Sequence, residues 1–286
     1  MDIAIGIPNS IPGTSGATLL DWARRAEGAG FSSLATIGAV EYPSHEELTV
    51  LAAAGAVTSR IRFVTNVLIA PARSAAELAK QAATVDQLTD GRLTLGLAVG
   101  WRSTDHELTG RDHAARGQRF DEQLRDLRRA WAGEPLLEGT RPVSPRPVQD
   151  PLPILVGGTS DAAIRRVVEH GQGWTAGGMP PDAVAATAAK VRQAWKDAGR
   201  DGDPYVLALV YFGLGDTEEA SRANLRDYYG PMGPEVADMI AGSALRSPEA
   251  IAGAVEAYRS AGVDELVLDP SVSDPDQVDL LAEVVF

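Results

Sequence analysis

Short apolar stretches alternate with amphipathic segments along the whole 286-residue sequence, and this alternation limits the folds that the chain can adopt. Parallel strands need a long crossover between them, usually a helix, so strict strand–helix alternation predicts a parallel sheet. Eight predicted strands in a chain of this length favour one closed (β/α)8 barrel over an open sheet. We expect a single domain over residues 1–286, with strands at residues 3–8, 33–37, 60–67, 92–99, 154–156, 173–176, 205–211 and 265–268.

The connection after the seventh predicted strand is longer than one crossover helix needs. We therefore expect residues 213–247 to form an insertion with short helices. This segment contains Tyr228, Tyr229, Met232 and Met239. Their side chains either form a lid or substrate pocket over the barrel or pack the insertion onto it, and the sequence leaves both alternatives open.

Composition argues against several classes of function. The net charge of −13 disfavours a surface for nucleic acid or for an anionic membrane, since both need clustered basic residues. No apolar run approaches the length of a membrane span and no secretory signal is visible, so we expect a cytoplasmic protein. The absence of cysteine excludes thiolate chemistry, and the four histidines lack metal-ligand spacing, so we expect no metal site.

The fourth predicted strand has one face of leucines and one face of small side chains. The leucines, which we expect to contact the helices, alternate with Thr94, Gly96 and Ala98 on the other face. Inward positions of such a barrel normally hold bulky branched side chains. Small residues there either leave room for a flat ring system or relieve crowding against a neighbouring strand, and the sequence does not decide between these.

The residues around this strand carry a specific resemblance. A set of residues here resembles a signature of the bacterial luciferase-like superfamily. It comprises residues 78–88, Asp90-Gly91-Arg92-Leu93, Gly96 and Gly100-Trp101. Many positions match in a fixed order, and weaker features extend over nearly the whole chain. The resemblance implies a TIM barrel that binds FMN or the deazaflavin coenzyme F-420 and acts as an oxidoreductase on a small organic substrate. The compact length and residues 65–67 resemble the F-420 branch somewhat more.

Three kinds of activity and a non-catalytic role follow as alternatives. An F-420 enzyme of this superfamily transfers a hydride, whereas an FMN enzyme supplied by a partner reductase inserts oxygen. A barrel enzyme for a phosphorylated metabolite, without a redox cofactor, is a third. A flavin-binding barrel without activity is the fourth alternative, because Gly38-Ala39 stands where many relatives have an acid followed by histidine.

Four side chains near the predicted barrel mouth are candidates for contacts with substrate or cofactor. Glu41 and Tyr42 could replace the missing acid, although such loop residues are usually solvated or packed. Trp101 could flank the cofactor ring or the substrate, or pack under its loop. Arg102 could hold a phosphate or an acidic group with its guanidinium, or be solvated.

Active sites of these barrels lie at the carboxyl ends of the strands, which selects the cofactor site. The third strand ends in Thr65, Asn66 and Val67, and the resemblance implies a cis peptide bond between the last two. Glycine loops follow the next three strands. Gly100 after the fourth strand permits close backbone approach. After the fifth strand, backbone N–H groups and hydroxyls at a helix start can hold a phosphate or simply cap the helix, and the glycine pair after the sixth strand supports the phosphate site. The candidates in these loops are Ala98, Gly100, Trp101, Arg102, Gly157, Gly158, Thr159, Ser160, Ala176, Gly177 and Gly178.

The resemblance also implies a homodimer. In the superfamily, helices from this part of the barrel form the dimer interface, and here the corresponding helices, predicted at residues 46–59 and 75–88, are rich in alanine. Small side chains allow close approach of helices from two subunits, but they serve equally to pack the helices on their own barrel.

Overall fold

Eight parallel strands pair in sequence order and close into a barrel in this computed structural model, which describes residues 1–286. The first strand closes the barrel by pairing with the last, with Ile5 opposite Leu268. The predicted (β/α)8 TIM barrel is therefore confirmed, and the strand ends differ from the predicted ones by at most two residues. The strands are β1 (Asp2–Gly6), β2 (Ser33–Thr36), β3 (Arg62–Ile69), β4 (Leu93–Ala98), β5 (Ile154–Gly157), β6 (Gly173–Thr175), β7 (Tyr205–Phe212) and β8 (Glu265–Pro270).

The α-helices surround the barrel, and three of them rather than one connect β7 to β8. None of the helices is both long enough and apolar enough to cross a membrane. The helices are α1 (Gly16–Ala29), α2 (Glu47–Gly55), α3 (Ala75–Leu88), α4 (Ser103–Leu108), α5 (Arg116–Ala132), α6 (Asp161–His170), α7 (Pro181–Asp197), α8 (Glu218–Tyr229), α9 (Pro234–Ser243), α10 (Pro248–Ser260) and α11 (Asp276–Val285).

Alternation of side chains along the strands separates two apolar cores. The leucines of β4 face the helices, as predicted, and belong to an outer cluster of 51 buried residues. A second cluster of 14 residues fills the barrel and continues upward into α8 and α9, so the helices after β7 close the barrel at its carboxyl end. Members of this inner cluster include Ala35, Val64, Leu209, Val267, Leu225, Tyr228 and Ala241.

The pairing of β3 with β4 is irregular beside Gly96. The register shifts between Thr65 and Leu68, and the Asn66–Val67 peptide bond is cis, as the resemblance implies. A Cβ atom on Gly96 would overlap the carbonyl oxygen of Thr65. Relief of crowding, rather than room for a ring, therefore explains Gly96. Because pairing resumes at Leu68, β3 continues two residues beyond its predicted end.

The alanines of α2 and α3 pack inside the chain. Ala54 of α2 and Ala79 and Ala82 of α3 are buried in the outer core, so their small side chains already serve packing on the barrel. Helix α2 ends at Gly55, four residues before its predicted end. The guanidinium of Arg92 donates a hydrogen bond to the carbonyl of Gly55, which as one of the last carbonyls of the helix has no donor within it. The homodimer stays a prediction.

Candidate functional site

The carboxyl ends of β3 to β6 form a shallow floor at the mouth of the barrel. Val67, Ala98 and Gly157 are half-buried there. A Cβ atom on Gly157 would lie 3.2 Å from Ala98 Cβ and 3.5 Å from both Val67 Cγ1 and Thr175 Cγ2. These four residues therefore meet at one level. Their small side chains leave a low, apolar surface, hereafter the floor.

An unpaired amide nitrogen belongs to the same layer as the floor. Thr175 Oγ1 donates a hydrogen bond to Asn66 Oδ1 at 2.6 Å, which joins β6 to β3 across the barrel. Asn66 is buried, and its Nδ2 has no hydrogen-bond partner. A buried donor without a partner costs about 1–3 kcal/mol. This nitrogen is therefore available to an acceptor on a bound molecule.

Two glycine loops border the floor after β5 and β6. Gly158 and Gly177 have positive φ angles of 111° and 59°, which a residue with a side chain rarely adopts. Ser160 caps α6, since its Oγ accepts a hydrogen bond from the backbone N–H of Ala163 at 3.2 Å. The start of α6 nevertheless lies at the mouth with exposed Thr159, so backbone N–H groups of its first turn remain suited to an anion.

Arg102 lies inside the structure, so the solvated alternative for this residue is wrong. Its side chain is 3% exposed. The guanidinium carbon lies 5.3, 4.6 and 4.7 Å from the ring centroids of Tyr42, Trp101 and Tyr228, respectively. It donates a hydrogen bond to the backbone carbonyl of Tyr228, and its Nη1 lies 3.4 Å from Glu41 Oε2. Arg102 thus joins two mouth loops to α8, and its contact with a phosphate stays a prediction.

Two acidic side chains fix the loop after β2. Asp105 Oδ1 accepts hydrogen bonds at 2.8 Å from the backbone N–H groups of Val40 and Glu41. Tyr42 donates its hydroxyl to Asp227 Oδ2 of α8 at 2.6 Å. Burial, together with this hydrogen bond, raises the pKa of Tyr42 above its usual value. Tyr42 therefore attaches the loop to α8, while Glu41 remains exposed at the mouth.

A cavity of about 660 Å³, hereafter the mouth cavity, lies at the same end of the barrel as the floor. It is bounded by the loops after β4 and β6, by β7 and by the helices between β7 and β8. Trp101, Tyr229, Met232 and Met239 line it, whereas Tyr228 is buried and packs edge-on against the Tyr42 ring. Of the insertion residues, Tyr229, Met232 and Met239 therefore line a pocket, whereas Tyr228 packs the insertion onto the barrel.

A sequence model described as luciferase-like monooxygenase matches residues 1–283. The chain belongs to this family. This chain is 34% identical over 218 residues to an uncharacterized protein of Mycobacterium tuberculosis, and the match covers 66% of this chain and 74% of that one. It is also 32% identical over 210 residues to the pyrimidine monooxygenase RutA of Cronobacter sakazakii, covering 67% of this chain and 60% of that one. The chain is accordingly an oxidoreductase, as the sequence predicts.

Solved structures share the luciferase-like barrel at low identity. The monooxygenase RslO1 from Streptomyces bottropensis has a TM-score of 0.82 at 22% identity, covering 100% of this chain and 98% of that one. An F-420-dependent secondary alcohol dehydrogenase, solved with an F-420–acetone adduct, scores 0.79 at 17%, covering 99% and 98%. The oxygenating constituent of 3,6-diketocamphane monooxygenase from Pseudomonas putida, solved with FMN, scores 0.73 at 17%, covering 100% and 97%. These similarities show the fold.

Sequence reasoning missed Asp269 at the carboxyl end of β8 in this luciferase-like chain. The carboxyl group is buried, and its Oδ1 has no hydrogen-bond partner. It occupies the space that a side chain at Gly6 on the neighbouring strand would fill. Burial raises the pKa of Asp269 well above its ordinary value, which favours the neutral acid. The available signal was an acidic residue directly after an apolar strand.

Glu47 is the second residue that the sequence did not reveal. Its carboxyl group takes the space of the absent side chain at Gly38, where a Cβ atom would overlap Glu47 Oε1. Glu47 Oε2 accepts a hydrogen bond from Arg73 Nη2 at 2.6 Å. Burial raises the pKa of Glu47 despite the neighbouring guanidinium. A carboxyl group is therefore present beside the end of β2, supplied by α2.

Replacing Arg102 tests its role in holding the luciferase-like mouth together. We expect Arg102→Ala to lower the free energy of unfolding by about 3 kcal/mol, because a buried cation leaves three aromatic rings and a carbonyl loses its donor. Arg102→Lys should retain only part of the stability lost in Arg102→Ala, since lysine lacks the planar donor group. Urea denaturation measures both. Arg129→Ala on the exposed side of α5 is the control, and an Arg102→Ala loss no larger than this control's would contradict the assignment.

Proposed function

We propose that this luciferase-like oxidoreductase binds F-420 or FMN at the barrel mouth and transfers a hydride to or from a small organic substrate. The supporting observation is the floor of small side chains beside the unpaired amide nitrogen of Asn66. A flat ring system fits a low apolar surface of this kind. Two of the similar solved structures hold an F-420 adduct and FMN, respectively. We favour F-420, because residues 65–67 resemble that branch of the superfamily.

Different residues around the floor would bind the ring of the cofactor and its phosphate. The floor would contact the ring, and Asn66 Nδ2 would donate to one of its acceptors. Residues 158–160, the first turn of α6 and residues 177–178 would hold the phosphate through backbone N–H groups. The bound cofactor supplies the redox chemistry, and the chain supplies orientation and exclusion of water. The helices after β7 serve the second task, since they cover the barrel end.

An FMN-dependent monooxygenase is the alternative function. The 32% identity to RutA, which is named a pyrimidine monooxygenase, favours it. Such an enzyme would receive reduced FMN from a partner reductase and insert oxygen into its substrate. The cytoplasmic location and the homodimer remain predictions, and size-exclusion chromatography with light scattering tests the second. A purely monomeric mass would contradict the dimer.

Cofactor titration tests the proposed function. The purified chain is titrated with F-420 and with FMN, each oxidised and reduced, and binding is followed by absorbance and fluorescence of the cofactor. Saturable binding of F-420 alone supports hydride transfer, and a preference for reduced FMN supports the monooxygenase alternative. Binding of neither overturns the proposed function.

A substitution that raises the floor should block the cofactor. We expect Ala98→Leu to weaken cofactor binding at least about 100-fold, roughly 2.7 kcal/mol, because the longer side chain fills the space over Gly157. Ala53→Leu, the same change on an exposed face of α2, should leave binding unchanged. Thermal unfolding verifies that both variants fold. Unaltered binding by a folded Ala98→Leu would show that the ring lies elsewhere.

A further inference from the structure

We propose that the mouth cavity binds the substrate, and that the substrate is an uncharged, largely apolar molecule with an oxygen that accepts a hydrogen bond. A ketone, an aldehyde or an alcohol has this chemistry. The inference rests on the proposed function, because it assigns the substrate of the same active site.

The mouth cavity lies where a molecule can meet a cofactor on the floor. Trp101 and Gly178, which line the cavity, follow the strands β4 and β6 whose ends form the floor. Tyr229 and the two methionines form the opposite side, from the helices between β7 and β8. The volume of about 660 Å³ lies within the range of about 300–1,000 Å³ that is usual for small-molecule sites. Methionine side chains adapt readily to irregular apolar shapes.

The lining of the mouth cavity excludes a charged ligand. Twelve of its sixteen residues are hydrophobic, and none is charged, although the chain has 39 acidic and 26 basic residues. Arg102 packs on the Trp101 ring, but its guanidinium is buried and donates to the Tyr228 carbonyl. An ion entering the cavity would lose its hydration without gaining an opposite charge. The site therefore selects neutral molecules.

One hydroxyl hydrogen in the mouth cavity is left for a ligand. The hydroxyl groups of Tyr211 and Tyr229 lie 2.7 Å apart, so one donates to the other and the second hydrogen remains free. Tyr258 donates to the Met179 carbonyl at 2.8 Å, and Ser243 donates within its own helix. A tyrosine hydroxyl is protonated at neutral pH, and burial raises the pKa of Tyr229 further, to about 12. The free hydrogen matches a carbonyl or hydroxyl oxygen.

Three probes that share the same apolar adamantane cage and differ in their polar group test the inference. These are 2-adamantanone, adamantane-1-carboxylate and 1-adamantylammonium, titrated into the full chain with and without FMN. Trp101 reports binding by fluorescence, since it is 40% exposed and lines the cavity while the other four tryptophans are at most 8% exposed. We expect saturable binding of the ketone and at least tenfold weaker binding of both ions. Equal binding of either ion, or no ketone binding up to its solubility, overturns the inference.

Removing the hydroxyl tests the hydrogen bond separately from the apolar contacts. Either hydroxyl of the Tyr211–Tyr229 pair can hold the free hydrogen, so both are removed: Tyr211→Phe/Tyr229→Phe should weaken ketone binding about five- to tenfold. Tyr205→Phe is the matched control, because its hydroxyl bonds to Glu265 at the opposite end of the barrel. Calorimetry confirms the fluorescence result. Unchanged ketone affinity in the folded double variant would contradict a hydrogen bond from this tyrosine pair.

The cofactor titration separates the two proposals. Binding of F-420 or FMN without a preference for the ketone would overturn the substrate class and leave the proposed function standing. Selective ketone binding without binding of either cofactor would overturn the proposed function and leave the substrate class standing.

Discussion

Gly96→Ala should destabilise the barrel by at least about 3 kcal/mol, although it adds only one methyl group. The new Cβ atom would overlap the carbonyl oxygen of Thr65 and lie 3.1 Å from its carbonyl carbon. Overpacking of side chains typically costs about 1–3 kcal/mol. Here the neighbours are backbone atoms of a paired strand, which cannot move away by rotating a side chain. The hydrogen bond from Thr65 Oγ1 to the Gly96 carbonyl, 2.8 Å long, would be disturbed as well.

Urea denaturation of Gly96→Ala and of Gly28→Ala measures this effect against a matched control. Gly28 lies inside α1 with no atom near a Cβ, so the same change there should stabilise the chain by up to about 1 kcal/mol. Because Val67 of the floor follows Thr65 by two residues, we also expect any folded Gly96→Ala protein to lose cofactor affinity. Equal stability of the two variants would contradict the crowding at Gly96.

The parts of the site that follow from topology could be predicted from the sequence. Parallel strands in a barrel all end at the same mouth, so locating the ends of β3, β4 and β5 was sufficient to bring Val67, Ala98 and Gly157 together. The strand pattern alone could not distinguish Gly96 from Ala98. Their difference arises from the register shift in β3, which places a carbonyl oxygen beside Gly96 and leaves Ala98 beside the opening.

The parts that depend on contacts between distant elements could not be predicted. The sequence showed that residue 38 has no side chain, but not that Glu47 of another element fills the space. For Arg102 the sequence offered an anion contact or a solvated side chain, but not burial under α8, because the position of that helix is a tertiary fact. Tyr228 and Tyr229 are adjacent on α8 and point about 100° apart, so one packs and the other lines the cavity.

Asp269→Asn should stabilise the chain relative to the parent by an amount that grows as the pH rises. Burial raises the pKa of Asp269 in the folded chain well above its ordinary value. The contribution of this carboxyl group to stability is therefore fully present below the unfolded-state pKa, about 3.9, and is lost as the pH rises towards the folded-state pKa. The loss amounts to at most about 1.4 kcal/mol per pH unit. Asparagine has nearly the same shape and does not ionise.

Urea denaturation of parent and variant from pH 4 to pH 8 tests this linkage through the slope of the difference with pH. The offset at pH 4 reports how well the amide of asparagine fits beside Gly6, and the slope reports the ionisation of Asp269. Asp203→Asn, the same change at an exposed position, is the control. A flat difference for Asp269→Asn would show that the carboxyl group is ionised in the folded chain. A difference that keeps rising up to pH 8 would establish that Asp269 is a neutral acid, able to donate a hydrogen bond, over that pH range.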